Sequence, residues 1–394
     1  MVGYLPDTFG HVATLPSILN GFGISTFLFF RGVGDEGEGR KDEFIWESPD
    51  GSSVLAVFLR GSYCHAERIG LRKPEPPGYA SASYDFAFKT ASYYYRTPFD
   101  AQSALALISS QLELRRANSA FNTYLFLNGC DHRPPQDLKA VLELARKNFA
   151  GVEFTVADLD DYSNEIKSRA GGVPLATYSG ELRGAKYTMV DPGILSTRAD
   201  VKQKNFYAEN TLESYAEPLS AAMLALGSSP RPLDYAWKLV LRSQAHDSIC
   251  NSGVDEVNEQ VSERFDRAQE AAFGTAQDAL DFLSQQMPLA GSENDVLIFN
   301  PTNSLRTDLV SMVSYAPIKG LVDFEENESK GSVGKLHRYN FVVKGVPPVG
   351  YARVQPAEQR VKAIDRNEVE NEYYAVSLGP DGSLTLLDKS SNRS

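Results

Sequence analysis

The sequence predicts a multidomain protein of α/β, then α, then β character, and three observations predict it. Short apolar runs alternate with amphipathic helical patterns over the first 199 residues, long helical patterns fill 200–290, and strand-like alternation begins at about 291. With 394 residues, the chain exceeds the roughly 100–200 residues of one domain. The expected division is 1–199 as an α/β domain lacking its N-terminal part, 200–290 as a three-helix bundle, and 291–394 as a truncated β domain, the start of a C-terminal β-sandwich region.

Each element follows from local chemistry. Residues 24–30 form an apolar run ending at Arg31-Gly32, which reads as a buried strand feeding a loop. Residues 43–47 and 53–59 flank Pro49-Asp50-Gly51 and predict a hairpin. Residues 61–97, rich in Gly, Pro and Tyr, predict a long irregular excursion of the kind that lines sites. Asp100 caps a helix running to about Arg116, with Leu105, Ile108 and Leu112 at helical spacing. Residues 123–127 predict a strand that delivers Asn128 to His132 at its C-terminal end, and Pro134-Pro135 predicts the start of a further helix. The bundle helices are expected at 201–226, 232–246 and 254–287, with Trp237, Leu241 and Ala245 on the buried face of the second. Pro380-Asp381-Gly382 predicts a hairpin near the end, and 324–335 a solvated loop.

Composition narrows the function classes. Apolar residues make up 42%, charged residues 23% and aromatics 11%, which suits a large packed core. A formal net charge of -12 disfavours nucleic acid, whose binding rests on Lys and Arg neutralising phosphates. No apolar stretch approaches the roughly 18 residues of a membrane span, so no membrane partner is expected and a cytoplasmic location is the default. The three cysteines, Cys64, Cys130 and Cys250, lie far apart and suggest free thiols without a disulfide framework.

Three segments hold acidic or imidazole groups among turn residues: Asp7 in P-D-T-F-G-H, Asp131 in N-G-C-D-H, and His246-Asp247 in Q-A-H-D-S. An Asp beside Gly often only satisfies backbone donors, so each alone is weak. In this order and spacing they resemble the zinc-dependent retaining α-mannosidases of glycoside hydrolase family 38, bacterial type. Further segments carry the same resemblance, namely F-F-R-G-V (29–33), E-F-I-W-E-S-P-D-G-S (43–52), G-E-L-R-G (180–184), P-G-I-L-S-T-R (192–198), Y-A-E-P-L-S-A (215–221) and L-I-F-N-P (297–301).

That resemblance implies that residues 1–199 are catalytic, with Asp7 as nucleophile and zinc ligand and Asp131 as acid/base. A carboxylate nucleophile with a second carboxyl as acid and then base is the chemistry of retention. By the same resemblance Arg31 pairs with Asp7, His246 binds zinc, and Asp247 supports the metal or the sugar. Tyr63 and Tyr4 are candidates to stack on the sugar, and His132 and His11 to bind or orient substrate. The family's N-terminal H-x-H-W-D-type segment, which supplies two more zinc ligands, matches none of the five histidines. A chain truncated at both ends, with an exposed sheet edge, is the expectation. The implied partner is an α-mannoside or mannose-containing oligosaccharide, with homo-oligomers left open. Two alternatives are a non-catalytic sugar-binding or structural remnant and a metal-dependent sugar deacetylase.

Overall fold

The computed structural model describes residues 1–67, 69–70, 99–131, 135–287, 295–315, 318, 337–354, 362–363 and 367–394. Two compact units divide the chain, Met1–Thr197 and Arg198–Ser394.

The first unit is a mixed α/β layer structure. Strands β1 (Gly3–Leu5), β2 (Thr26–Phe29), β3 (Glu43–Glu47), β4 (Ser53–Phe58) and β5 (Thr177–Ser179) form one sheet of order β1-β2-β4-β3-β5. β1, β2 and β4 run parallel, β3 returns antiparallel to β4 as the predicted hairpin, and β5 lies parallel to β3. Among the described residues β1 is an edge strand, with Tyr4 and Leu5 exposed.

Both faces of the central strands are buried, as near-continuous apolar runs require. Phe27, Phe29, Val54, Ala56 and Phe58 pack with Phe44, Trp46 and Leu182 on one side. Leu28, Leu55 and Val57 pack with Phe121, Tyr162 and Ile166 on the other. Around the sheet lie α1 (Leu15–Gly21), α2 (Ala101–Asn118), α3 (Lys139–Asn148) and α4 (Leu159–Ala170). The Asp100 side chain accepts from Ser103 N at 2.8 Å and caps α2 as expected.

Where residues 182–184 meet the loop after β2, two glycines, Gly32 and Gly184, are needed. Gly184 N donates to Gly32 O at 2.8 Å, and His11 and Leu182 exchange backbone hydrogen bonds. A Cβ on Gly184 would lie 2.1 Å from Gly34 Cα, and one on Gly32, where φ is +106°, would lie 2.3 Å from Leu182 O. Backbone meets backbone there, so nothing can rotate away. Gly184→Ala is expected to cost about 1–3 kcal/mol and lower the melting temperature by several degrees, whereas Gly172→Ala, in open space, shifts it little. Paired thermal melts check this.

Two local expectations need correction. Residues 123–127 are not in a strand ladder. Ala66 N donates to Leu127 O at 3.0 Å, while His65 Nε2 lies 2.9 Å from Leu125 O and accepts from Leu127 N at 3.1 Å, so a side chain takes the place of strand partners. Helix α3 begins at Lys139, not at the prolines, because Gln136 is drawn off to Ile69 O and Asn128 Nδ2.

The second unit combines helices and strands. α5 (Ala199–Thr211) passes through a π turn (Leu212–Ala216) into α6 (Glu217–Ala225), where Pro218 lacks the N–H an α-helix would use. With α7 (Asp234–Ser243) and α9 (Asp255–Gln285) these helices enclose a core containing Val201, Leu212, Leu219, Val240, Val261 and Phe265. The buried face of α7 is Ala236, Leu239, Val240 and Ser243, whereas Leu241 is 63% exposed, one helical step from the expected stripe.

Strands β6 (Val296–Asn300) and β9 (Gly350–Val354) pair antiparallel, as do β7 (Arg306–Ser314) and β8 (His337–Val346), around Tyr339, Phe341 and Val343. A four-stranded antiparallel sheet follows, of β10 (Lys362–Ala363), β11 (Glu368–Glu370), β12 (Tyr374–Leu378) and β13 (Leu384–Asp388). β12 and β13 turn at Gly382 as expected, whereas most of 61–97 and 324–335 lie outside the described residues.

Candidate active site

Parallel pairing of β1, β2 and β4 sends the loops after all three strands to one end of the sheet, the usual place for a site in an α/β layer. Asp7 lies in the loop after β1, bounded by Pro6 and by Gly10 at φ +101°. Arg31 follows β2. Its Nε and Nη2 both donate to Asp7 Oδ1 at 2.5 Å, and its Nη1 donates to Met189 O at 2.8 Å. The guanidinium carbon also stands 5.2 Å from the Phe9 ring centroid. With side chains 15% and 21% exposed, Arg31 and Asp7 are shielded enough for this charge-assisted pair to orient the carboxylate.

Tyr63 lies in the loop after β4. Its hydroxyl donates to Asp131 Oδ2 at 2.6 Å, and its ring packs edge-on against Phe30 at 5.7 Å. Burial pushes the Tyr63 phenol above its ordinary range, as do the hydrogen bond to Asp131 and the negative charges of Asp7 and Asp131, while Arg31 opposes them. Phe30, whose ring meets Tyr63, also lies 5.5 Å from the Arg31 guanidinium carbon, so the Asp7–Arg31 and Tyr63–Asp131 pairs are linked through one ring. The Tyr4 phenol is also raised, by burial first and by the Asp131 charge second. Asp7, Arg31, Tyr63 and Asp131 thus belong to one end of the first unit, with Tyr4 beside them.

The segment carrying Asp131 is stitched to the segment carrying Tyr63. Asn128 Nδ2 donates to Ala66 O at 2.7 Å, adding to the His65 bonds. Cys64 and Cys130 form a disulfide with Cα atoms 5.0 Å apart, which corrects the expectation of free thiols. Their 66-residue separation hid the pairing, because disulfide reach is set in space and not in sequence. His65 is held by the backbone of Ser62 and Leu127, and Cys250 is the free cysteine. Sequence reasoning also missed His65 and Asn128 as fasteners, since nothing local marks either.

His11 is a core residue, 4% exposed, wedged edge-on against Phe27 and Phe29. Its Nε2 has no hydrogen-bond partner among the described residues. His132 lies outside the described residues.

The second unit holds His246 and Asp247 at the start of α8 (His246–Ile249), with His246 Nε2 3.7 Å from Asp247 Oδ1. Among the described residues no three His, Cys, Asp or Glu side chains gather as a metal site. The donors on hand do not fit a catalytic zinc, which usually takes three protein ligands.

The first unit holds a small cavity of about 20 Å³, where Asp42, Glu43, His65 and Arg115 join apolar residues such as Val57, Leu59 and Tyr162. About one water fills such a space, so it is not a sugar site. Burial pulls His11 and His65 down to about 4 from 6.5 and pushes Asp42 up to about 6 from 3.8, with Arg60 opposing the last. The unfolded chain takes up histidine protons below 6.5 that the folded chain refuses until about 4. Stability is lost over that window, by on the order of 3 kcal/mol per histidine, while protonation of Asp42 returns a similar amount once. Two histidine losses against the Asp42 gain and a smaller one from Glu43, whose carboxyl burial also raises, predict a lower urea midpoint at pH 4.5 than at pH 7. Equal midpoints would overturn the assignment.

Comparison with known proteins defines the class first. Residues 1–181 match the "Glycosyl hydrolases family 38 N-terminal domain" and residues 192–283 the "Alpha mannosidase middle domain", so the chain belongs to glycosyl hydrolase family 38. A "Putative mannosylglycerate hydrolase" from Halalkalibacterium halodurans is 27% identical over 96% of this chain and 41% of that protein. "Alpha-mannosidase 2C1" from Homo sapiens is 24% identical over 98% of this chain and 33% of that protein. The chain thus spans about a third to two-fifths of the length of these relatives. An alpha-mannosidase from Enterococcus faecalis V583 shares the fold, with a TM-score of 0.72 and 24% identity, over 100% of this chain and 48% of that one.

Proposed function

We propose that the chain carries the reaction centre of a retaining α-mannosidase. The observation that carries this reading is the Tyr63 hydroxyl, bonded to Asp131 and subject to the charges of Asp7 and Arg31. It associates one arginine-oriented carboxylate with a second carboxyl group. In the reaction, an Asp7 oxygen attacks the anomeric carbon as the bond to the leaving oxygen breaks, and Asp131 gives that oxygen its proton. Water then attacks the mannosyl ester, Asp131 takes the water's proton, and Asp7 leaves with its electron pair. Two inversions give retention.

In this reading Arg31 orients Asp7, while Tyr63, Tyr4 and His132 bind or orient the sugar. Asp7 and His246, the two zinc donors that the family motifs name, fall short of the usual three, so no step is assigned to zinc, and weak zinc affinity and weak activity of this chain alone are proposed. Division at 1–199, 200–290 and 291–394, cytoplasmic residence and self-association belong to the same proposal.

Hydrolysis of an aryl α-mannoside with and without added zinc tests the reading, with the first-formed sugar followed by proton NMR. α-Mannose as the first product supports it. First-formed β-mannose would refute retention, binding without turnover would favour the sugar-binding alternative, and acetate release from an acetylated sugar would favour a deacetylase.

A further inference from the structure

We propose that the Cys64–Cys130 cystine is a thiol-exchange site that holds Asp131 in place, so that reduction by a dithiol loosens the acid/base and lowers turnover. The inference rests on the reading of Asp131 as acid/base. Cys64 directly follows Tyr63 and Cys130 directly precedes Asp131, so the covalent bridge and the 2.6 Å hydrogen bond join the same two segments one residue apart.

The remaining described fasteners flank Asp131, and on the downstream side Gln136 Nε2 donates to Ile69 O at 2.6 Å. Upstream, Leu127 is tied to His65 and Ala66, and Asn128 to Ala66 and Gln136. Gly129 comes next, at φ +151° with no atom within 4 Å of a would-be Cβ. It is a ready pivot between the last fastener and Cys130. Asp131 is exposed. Once the bridge opens, the Tyr63 hydroxyl is its remaining described link. Both cysteines are half-buried and within reach of a small thiol.

Exchange balances with a dithiol as reductant. One of its thiolates attacks a sulfur of the bridge, the protein S–S bond breaks, and the released thiolate takes a proton. The second thiolate resolves the mixed disulfide and frees the other protein thiol. Two electrons and two protons pass to the protein, and the reductant leaves as its disulfide.

The test uses the full chain, oxidised or treated with dithiothreitol. Iodoacetamide labelling of the denatured protein, read by intact mass, should count one thiol before reduction and three after. Reduction should speed amide hydrogen exchange at 129–131 but not at 125–127, and should lower kcat on an aryl α-mannoside by about tenfold to a hundredfold with a smaller change in KM. Reoxidation should restore the rate, and the C64S/C130S variant should match the reduced protein and ignore dithiothreitol. Unchanged exchange and kcat after labelling confirms reduction would overturn the proposal. Absence of turnover in both forms would defeat the mannosidase reading, while exchange at 129–131 would still decide whether the bridge holds the segment.

Discussion

Asp7→Asn is expected to abolish turnover of aryl α-mannosides. Proton transfer contributes roughly 10²–10⁴-fold in enzymes, and removing the nucleophile costs more because no covalent route survives. Asparagine keeps the shape of the side chain, and its amide oxygen can still accept from Arg31, whose Nε lies 2.5 Å from Asp7 Oδ1. The fold should therefore persist, with a stability loss of about 1–3 kcal/mol for the weakened charged bond. An activated fluorosugar that traps glycosyl-enzyme esters should label the wild-type chain on the peptide containing Asp7 and leave the variant unlabelled. Labelling elsewhere, or a variant as fast as wild type, would remove Asp7 from the mechanism.

Asp131→Asn should show a different signature. If Asp131 supplies the proton to the leaving oxygen, the loss depends on how much the leaving group needs one. Methyl or sugar aglycones should slow by roughly 10²–10⁴-fold. With a dinitrophenyl mannoside, which departs unaided, formation of the intermediate should be nearly as fast as in wild type, and its hydrolysis should become limiting. Pre-steady-state release of dinitrophenol should then show a burst. Equal losses on both substrates would identify Asp131 as a structural group tied to Tyr63 and not as the acid.

Elements with strong local signals were legible in the sequence. The hairpin around Gly51, the apolar β2, the Asp100 cap and the long α9 each carry their own pattern over a few turns or a few residues. The Asp7–Arg31 pair was legible through the family motifs, and the structure bears out that contact. Features made by long-range satisfaction were not. Residues 123–127 have the composition of a strand, yet His65 takes up their backbone groups. The Cys64–Cys130 bond, the Asn128 fastener and the late start of α3 likewise depend on which segments the fold brings together. The misplaced stripe of α7 arose because several neighbouring residues are apolar, and packing alone decides which of them faces inward.

The bare contact between Gly34 and Gly184 has a consequence for engineering. Since main chain seats directly on main chain there, the loop after β2 is indexed without help from any rotamer. Glu181 and Arg183, which pair at the surface at 2.7 Å, can be randomised in a library without disturbing that seat. Diversity introduced at those two positions would alter the surface charge there while the main-chain seat keeps its place.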